Sequence, residues 1–451
     1  MITSLRLKDF KNFADETLRM GPFTVLVGAN ASGKSNVRDA FRFLHGIGRG
    51  YRLPDIIGGR YGAGGQVEWE PIRGAVDEIV RFGHESFLLE VGVRLPSRAM
   101  LPAEGTTPPW ADLSLRGRAR WERRGRYRIA VARESSASTP FQVADELLAA
   151  GWAWEKTVFT STPERGDPIW RERHDPLMAL RMAKTGTQRK FGNRVNVSRD
   201  RPALVQIQEQ KRVVRDHKFR ARLVQTRLGS MRFLDLSPEK MRQPAFPGQT
   251  ILGDGGDNLP TVLRDICSDS KRRETFVEWT RELTPMDVED FEFPVDPTTG
   301  RVQLALRESG GRQVSAYAAS DGTLRFLAML AALLGTNPAG LYVFEEIDNG
   351  IHPSRLRLLI DLIETQTGKG GVQVLTTTHS PELLSMVNDE TFKHTSVLCR
   401  RPDTHDTVIR PVAKLPDAER LRESQGLGRL HASGWMEHAV SFAGDGGTGK
   451  S

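Results

Sequence analysis

Cysteine is nearly absent: Cys267 and Cys399 are the only two in 451 residues, far apart in the chain. That excludes a disulfide framework and a cysteine-rich zinc site, and it fits a reducing cytoplasm. No run of about 18 apolar residues occurs, so nothing in the sequence reads as a membrane-spanning helix. The opening MITSLRLKDFKNF interrupts its apolar residues with charges, unlike a secretory signal. No segment keeps apolar heptad positions long enough for an extended coiled coil. What remains is 38% hydrophobic and 27% charged residues, the balance of a globular protein with a sizeable core.

Charge is present but unevenly spread. The net charge is +8, and residues 181–222 hold 13 Lys/Arg against 3 Asp/Glu. This local net of +10 leaves the rest of the chain at −2. A second basic stretch runs over 116–127 (RGRARWERRGRY). Two readings stay open: a solvated basic surface, or a contact for the phosphate backbone of nucleic acid through Arg212, Arg215, Lys218 and Arg220. Nothing in the segment resembles a base-reading motif, so any such binding would be independent of sequence.

The first chemical motif follows a short apolar run. Residues 23–27 (FTVLV) read as a buried strand, and Gly28-Ala29-Asn30-Ala31-Ser32-Gly33-Lys34-Ser35 fits G-x-x-x-x-G-K-[ST]. Residues 36–45, beginning at Asn36, read as a helix with Val37, Phe41 and Leu44 on one face. Strand, loop and helix in this order is the setting a phosphate-binding loop needs. Backbone N–H groups and the helix N-terminus aim positive partial charge at an anion. Lys34 would reach the β- and γ-phosphates of ATP, and Ser35 would ligate Mg2+. Residues 444–451 (GDGGTGKS) match the same pattern, but the chain ends at Ser451 and MEHAVSF before it reads as helix. That second match is expected to be a Gly-rich tail.

Three more motifs stand in the last third. Residues 341–346 (LYVFEE) form an apolar run ending in Glu345 and Glu346. Residues 372–378 (VQVLTTT) lead to His379-Ser380-Pro381. Ser320-Asp321-Gly322-Thr323 precedes the apolar helix 326–334. A carboxylate pair can share Mg2+ and water chemistry, a histidine at a strand's end can bond a phosphate, and a Ser/Gly helix start can bind an anion. Singly, each is equally a surface strand end, a structural histidine or an ordinary helix cap.

In order, GANASGKS, ASDGTLR, LYVFEEIDNGIHP and TTTHSP resemble the ABC-type ATPase head. Within it the chain resembles the bacterial ATPases of the AAA_21/AAA_15 type, relatives of RecF, SMC and the OLD nucleases. The resemblance covers residues 1–50 and about 230–400 well and the middle poorly. It implies an α/β fold: a P-loop head with a mixed sheet and helices on both faces, a β-rich lobe and a signature lobe. It implies one head over 1–412, with core from 1–60 and 325–412, a basic β-rich lobe at about 60–230 and a signature lobe at about 230–335. A short helix and tail would follow.

The resemblance also implies a homodimer that sandwiches two ATP molecules. Asn30 to Asn36 of one copy would face Ser320, Asp321, Gly322 and Thr323 of the other. Glu346 would be the catalytic base, Glu345 a metal-shell residue with Ser35, His379 the γ-phosphate sensor, and Asp348 and Asn349 the D-loop. Glu345 stands where many such heads carry Asp, and Asp321 brings a negative charge where Gly is common. Gln66, Gln142, Gln206 and Gln208 leave the Q-loop glutamine unassigned.

The middle reads as strands (86–95, 126–133), a Pro/Gly loop (95–109) and a helix over 203–225. After residue 412 no second acidic cluster of a nuclease occurs, so the chain is expected not to cut DNA. Three functions fit. The first is an ATPase that senses nucleic acid and controls a separately encoded effector in anti-phage defence. The others are a RecF-like repair ATPase and an ATP-gated scaffold indifferent to DNA.

Overall fold

The computed structural model describes residues 1–95, 123–133, 140–151, 157–161, 177–183, 191–284 and 286–445. Parts of both basic stretches, the Pro/Gly loop 96–109 and the tail residues 446–451 lie outside the described residues.

Strand β1 (Ile2–Phe10) alternates buried and more exposed positions, and β2 (Phe13–Arg19) pairs with it antiparallel. β3 (Phe23–Val27) is buried at all five positions, as a strand covered on both faces must be. Helices α1 (Lys34–Gly48) and α2 (Leu53–Gly58) follow, then the hairpin β4 (Arg60–Tyr61) and β5 (Val67–Trp69). A run of strands comes next: β6 (Ser86–Leu95), β7 (Arg123–Arg133), β8 (Phe141–Gly151), β9 (Thr157–Thr160), β10 (Leu177–Ala183) and β11 (Phe191–Ser198). Helices α3 (Ala203–Gln206) and α4 (Arg215–Gly229) lead to β12 (Met231–Leu234). Then come α5 (Pro238–Met241), α6 (Leu259–Ile266), α7 (Ser270–Leu283) and a small antiparallel sheet, β13 (Val288–Glu292), β14 (Ala305–Glu308) and β15 (Gln313–Ser315). The last part alternates α8 (Asp321–Leu334), β16 (Leu341–Phe344), α9 (Pro353–Gly368) and β17 (Val374–Thr378). It ends with α10 (Pro381–Met386), α11 (Asp389–Lys393), β18 (Thr395–Arg400), β19 (Thr407–Pro411), α12 (Ala418–Gln425), α13 (Leu427–Ala432) and α14 (Trp435–Asp445).

Two large sheets result. One has six strands in the order β12-β16-β17-β3-β18-β19, parallel except for the β18–β19 pair. The other has eight antiparallel strands in the order β11-β10-β9-β8-β7-β6-β1-β2. Side chains alternate across the parallel sheet, as strand geometry dictates. Leu26, Val343, Leu375 and Leu398 join the core that holds α1, α4 and the antiparallel sheet. Val25, Val27, Phe344, Val374 and Val397 join a second core with α8, α9 and the C-terminal helices. The expected α/β head, with its mixed sheet covered on both faces, is therefore what the chain forms.

Several boundaries differ from the expectation. β1 and β2 belong to the antiparallel sheet, because their alternating burial suits one covered face, whereas β12 enters the core sheet beside β16. The helix expected over 203–225 is two helices, α3 and α4, with residues 207–214 between them outside regular helix. Helix α3 is pinned by Glu146 of β8, whose carboxylate accepts from Ala203 N (2.6 Å), Leu204 N (2.8 Å) and the Tyr127 hydroxyl (2.9 Å). Among the described residues after 412 there are three helices instead of one. Ala418 of α12, Leu427 and Leu430 of α13, and Met436 and Val440 of α14 pack into the second core. Helices α1 and α4 cross closely at Gly48 and Gly229. A Cβ on Gly48 would stand 2.2 Å from the Gly229 nitrogen, so only glycine fits there.

Candidate nucleotide-binding site

The loop Gly28–Gly33 is shaped by close approaches. A Cβ on Gly28 would lie 2.4 Å from the Leu398 carbonyl oxygen of the neighbouring strand. Gly33 caps α1 with φ 100°, a left-handed conformation that costs glycine least. Ala31 also lies in the left-handed region, with φ 62°. The loop is braced from behind. Thr407 Oγ1 donates to the Ser32 carbonyl (2.8 Å) and accepts from Asn12 Nδ2 (2.5 Å), while Asn36 Nδ2 donates to Asn12 Oδ1 (2.8 Å). Ala29, Asn30, Ala31 and Ser35 are exposed at the mouth.

Lys34 is only 8% exposed, and its ammonium donates to the Gly28 (2.6 Å) and Ala29 (2.9 Å) carbonyls. Burial lowers its pKa, while Glu346 and Glu345 act in the opposite sense. The lysine thus feels both carboxylates at the end of β16. The Ser32 hydroxyl is buried without a hydrogen-bond partner among the described residues.

The parallel sheet brings the acidic pair to the same edge. β17 lies between β16 and β3, all three parallel, so residues just past their carboxyl ends gather at one edge of the sheet, as in other open α/β sheets. Glu346 has φ 48°, left-handed for a residue with a Cβ, and its N–H donates to Thr377 Oγ1 (3.1 Å). His379 Nε2 lies 3.0 Å from Glu346 Oε1. Glu345 faces Arg73, 3.2 Å from Oε1, and Arg38, 3.9 Å from Oε2. Asn349 N–H donates to the Glu346 carbonyl (2.9 Å). Asp348 is largely covered, burial raises its pKa, and its Oδ1 has no partner among the described residues.

Ser320 and its neighbours lie elsewhere. Ser320 caps α8, its Oγ accepting from Thr323 N (3.1 Å). A Cβ on Gly322 would stand 2.9 Å from the Gly350 carbonyl. Ser320, Gly322 and Thr323 line a cleft of about 420 Å3 with Gly350, His352 and Arg355. No residue of the phosphate loop borders that cleft. Arg242 pairs with Asp321 (2.6 Å) and donates to the Ala319 carbonyl (2.9 Å), so the extra acidic charge is balanced within the chain.

The basic candidates divide. Arg212 and Arg215 are exposed. Lys218 Nζ donates to the Gln208 carbonyl (2.9 Å), and Arg220 holds the Ala150 carbonyl (2.7 Å) and Asp216 (2.6 Å). Two of the four are therefore committed to the chain itself. Gln206 bonds Ser198 and the Arg201 carbonyl, and Gln208 bonds the Lys218 carbonyl, so both amides serve the α3 region and not the site.

Sequence reading missed Asn12, Thr407, Arg38 and Arg73. Asn12 lay within the opening that resembles the family, but Thr407 and Arg73 sit in no motif and reach the loop only through folding. As a metal centre, the donors at hand are the exposed Ser35 and the Glu345 carboxylate, hard oxygen groups. Among the described residues no three His, Cys, Asp or Glu side chains cluster as a metal cage. Hard oxygen donors of this kind are the ligands Mg2+ takes, together with several waters and substrate phosphates.

A glycine-rich loop after a buried strand, with an acidic pair and a histidine at the ends of adjacent parallel strands, is the arrangement of a P-loop nucleotide-binding protein. The chain belongs to the AAA_21 family, described as "AAA domain, putative AbiEii toxin, Type IV TA system", whose model matches residues 23–92 and 195–385. It is similar to an "ATP/GTP phosphatase" of Helicobacter pylori (strain ATCC 700392 / 26695), 28% identical over 160 residues, 33% of this chain. The match spans 41% of that relative's length. Among solved structures it is similar to an SMC head bound to the C-winged helix domain of ScpA. There the TM-score is 0.47 at 14% identity, covering 92% of this chain and 99% of that one. It is also similar to the SMC head domain from Thermotoga maritima, with a TM-score of 0.35 at 14% identity, covering 91% and 98%.

Proposed function

We propose that the chain binds ATP with Mg2+ at Gly28–Ser35 and hydrolyses it within a head-to-head pair of copies. The observation that carries this reading is the Glu346–His379 pair, 3.0 Å apart, at the sheet edge where Lys34 also feels Glu346. Lys34 exchanges its two loop carbonyls for β- and γ-phosphate oxygens, which match an ammonium in charge. Ser32, with its unpartnered hydroxyl, and the amides at the start of α1 complete the anion cradle. Glu346 takes the proton of the attacking water, and His379 holds Glu346 in place and reads the γ-phosphate. Mg2+, held by Ser35 and Glu345, supplies neutralisation of phosphate charge.

A single chain leaves the Ser320–Thr323 helix start away from the phosphate loop, bordering Gly350 instead. In the pair, Ser320 and Gly322 of one copy close over the γ-phosphate held by the other, and Asp348 and Asn349 cross the interface. Asp348, whose Oδ1 lacks a partner among the described residues, then gains one.

The output we propose is control of a separately encoded effector in the cytoplasm, triggered by nucleic acid at the exposed Arg212 and Arg215. The test of the ATPase is Glu346→Gln. Removing a general base lowers turnover by about 10²–10⁴-fold, and the variant should migrate as an ATP-dependent dimer in size-exclusion chromatography. Normal turnover, or a monomer with ATP bound, sinks the assignment.

A further inference from the structure

Arg73 lies in the loop between β5 and β6, outside every motif, yet its side chain reaches the mouth of the phosphate loop. One terminal nitrogen donates both to the Ser35 carbonyl (3.0 Å) and to Glu345 Oε1 (3.2 Å). Its Nε donates to Asp39 Oδ1 (3.1 Å). Arg38 approaches the other Glu345 oxygen. A fixed positive charge therefore stands between Ser35 and Glu345, the two residues whose oxygens suit Mg2+.

The neighbours show that this contact is separable from the fold. Asp39 already has Lys11 at 2.5 Å, and Lys11 also donates to the Arg73 carbonyl (2.7 Å). The loop backbone and the buried Asp39 charge are thus held without the Arg73 guanidinium. The Arg73 side chain is 45% exposed and Glu345 27%. Solvent-screened pairs of this kind are weak and exchangeable, whereas a doubly charged cation competes well for a carboxylate oxygen.

We propose that Arg73 is a positioning residue of the metal site. It holds the Glu345 carboxylate in place before the cation arrives and surrenders it when Mg2+ enters with nucleotide. Arg73 thereby sets the Mg2+ concentration at which nucleotide is retained. This rests on the ATP reading above.

The experiment titrates Mg2+ against binding of a non-hydrolysable ATP analogue to the full chain, with parallel binding in EDTA. Arg73→Ala should lower the half-saturating Mg2+ concentration by about three- to fivefold, the scale of one screened ion pair, and Arg73→Lys should stay near the wild type. Arg73→Gln keeps hydrogen-bond donors for the Ser35 carbonyl and Asp39 but removes the charge. It should behave like Arg73→Ala and stands in if that variant does not fold. An unchanged or higher Mg2+ requirement overturns the proposal, as does an equal change in affinity with and without Mg2+. A wild-type chain that binds no analogue even in excess Mg2+ overturns the ATP reading and this proposal with it.

Discussion

Lys34 carries its charge in a nearly closed space, and its two carbonyl contacts are what make that tolerable. A buried ammonium without acceptors would cost several kcal/mol or lose its proton. The same economy of contacts explains Thr407. Its hydroxyl is both donor to the Ser32 carbonyl and acceptor for Asn12, so one side chain fixes the height of the loop from the far edge of the sheet. Thr407→Val keeps the shape and removes both bonds. At about 1 kcal/mol per hydrogen bond, nucleotide affinity should fall roughly five- to thirtyfold with little change in the far-ultraviolet spectrum. Calorimetric titration with ATP measures this, and unaltered affinity would show that the loop holds its form without the brace. Glu346, left-handed at φ 48°, shows the same tension from the other side. A non-glycine residue accepts roughly 1–2 kcal/mol of strain there, and the Thr377 bond and the turn through Asn349 hold it.

At the scale of elements, motif-bearing segments were readable and their neighbours were not. FTVLV and LYVF are strands because continuous apolar runs of four or five residues need cover on both faces. The region 203–225 looked uniformly helical, yet it divides between α3 and α4. The division depends on Glu146, which lies far away in sequence and caps α3. Burial pushes the Glu146 carboxyl up to about 7, against the opposing pull of two amides and the Tyr127 hydroxyl. With its folded pKa above the ordinary value of 4.5, its stabilising contribution is complete below about pH 4.5. It is lost as pH rises toward about 7. Glu146→Gln should remove that loss. Urea unfolding at pH 5 and pH 7 should show the wild type falling relative to the variant by roughly 1–3 kcal/mol. Parallel slopes for the two proteins would show that Glu146 is not the group responsible.

Across the whole molecule, folding redistributes the charge that the sequence concentrates in one segment. The segment 181–222 accounts for the basic excess, but folding turns part of it inward: Arg220 onto Asp216 and Lys218 onto a carbonyl. If nucleic acid binds here, Arg212→Glu with Arg215→Glu should weaken binding and flatten its salt dependence by about 0.9 per lost phosphate contact. Lys218→Glu and Arg220→Glu should instead lower the melting temperature. Fluorescence anisotropy across a salt series, read beside thermal unfolding, separates the two pairs. Binding that survives the Arg212/Arg215 reversal removes this face as the contact. The sequence alone determined the α/β class and marked Gly28–Ser35, Glu345, Glu346 and His379 as the candidate site, because each rests on a local order of strand, turn and helix. Tertiary structure alone decided which residues stand behind and beside them. Asn12 and Thr407 brace the loop, Arg73 faces Glu345, and Ser320 opens on a cleft apart from Lys34. Those relations depend on which strands lie adjacent in two sheets, and strand adjacency is set by long-range burial that no local pattern records.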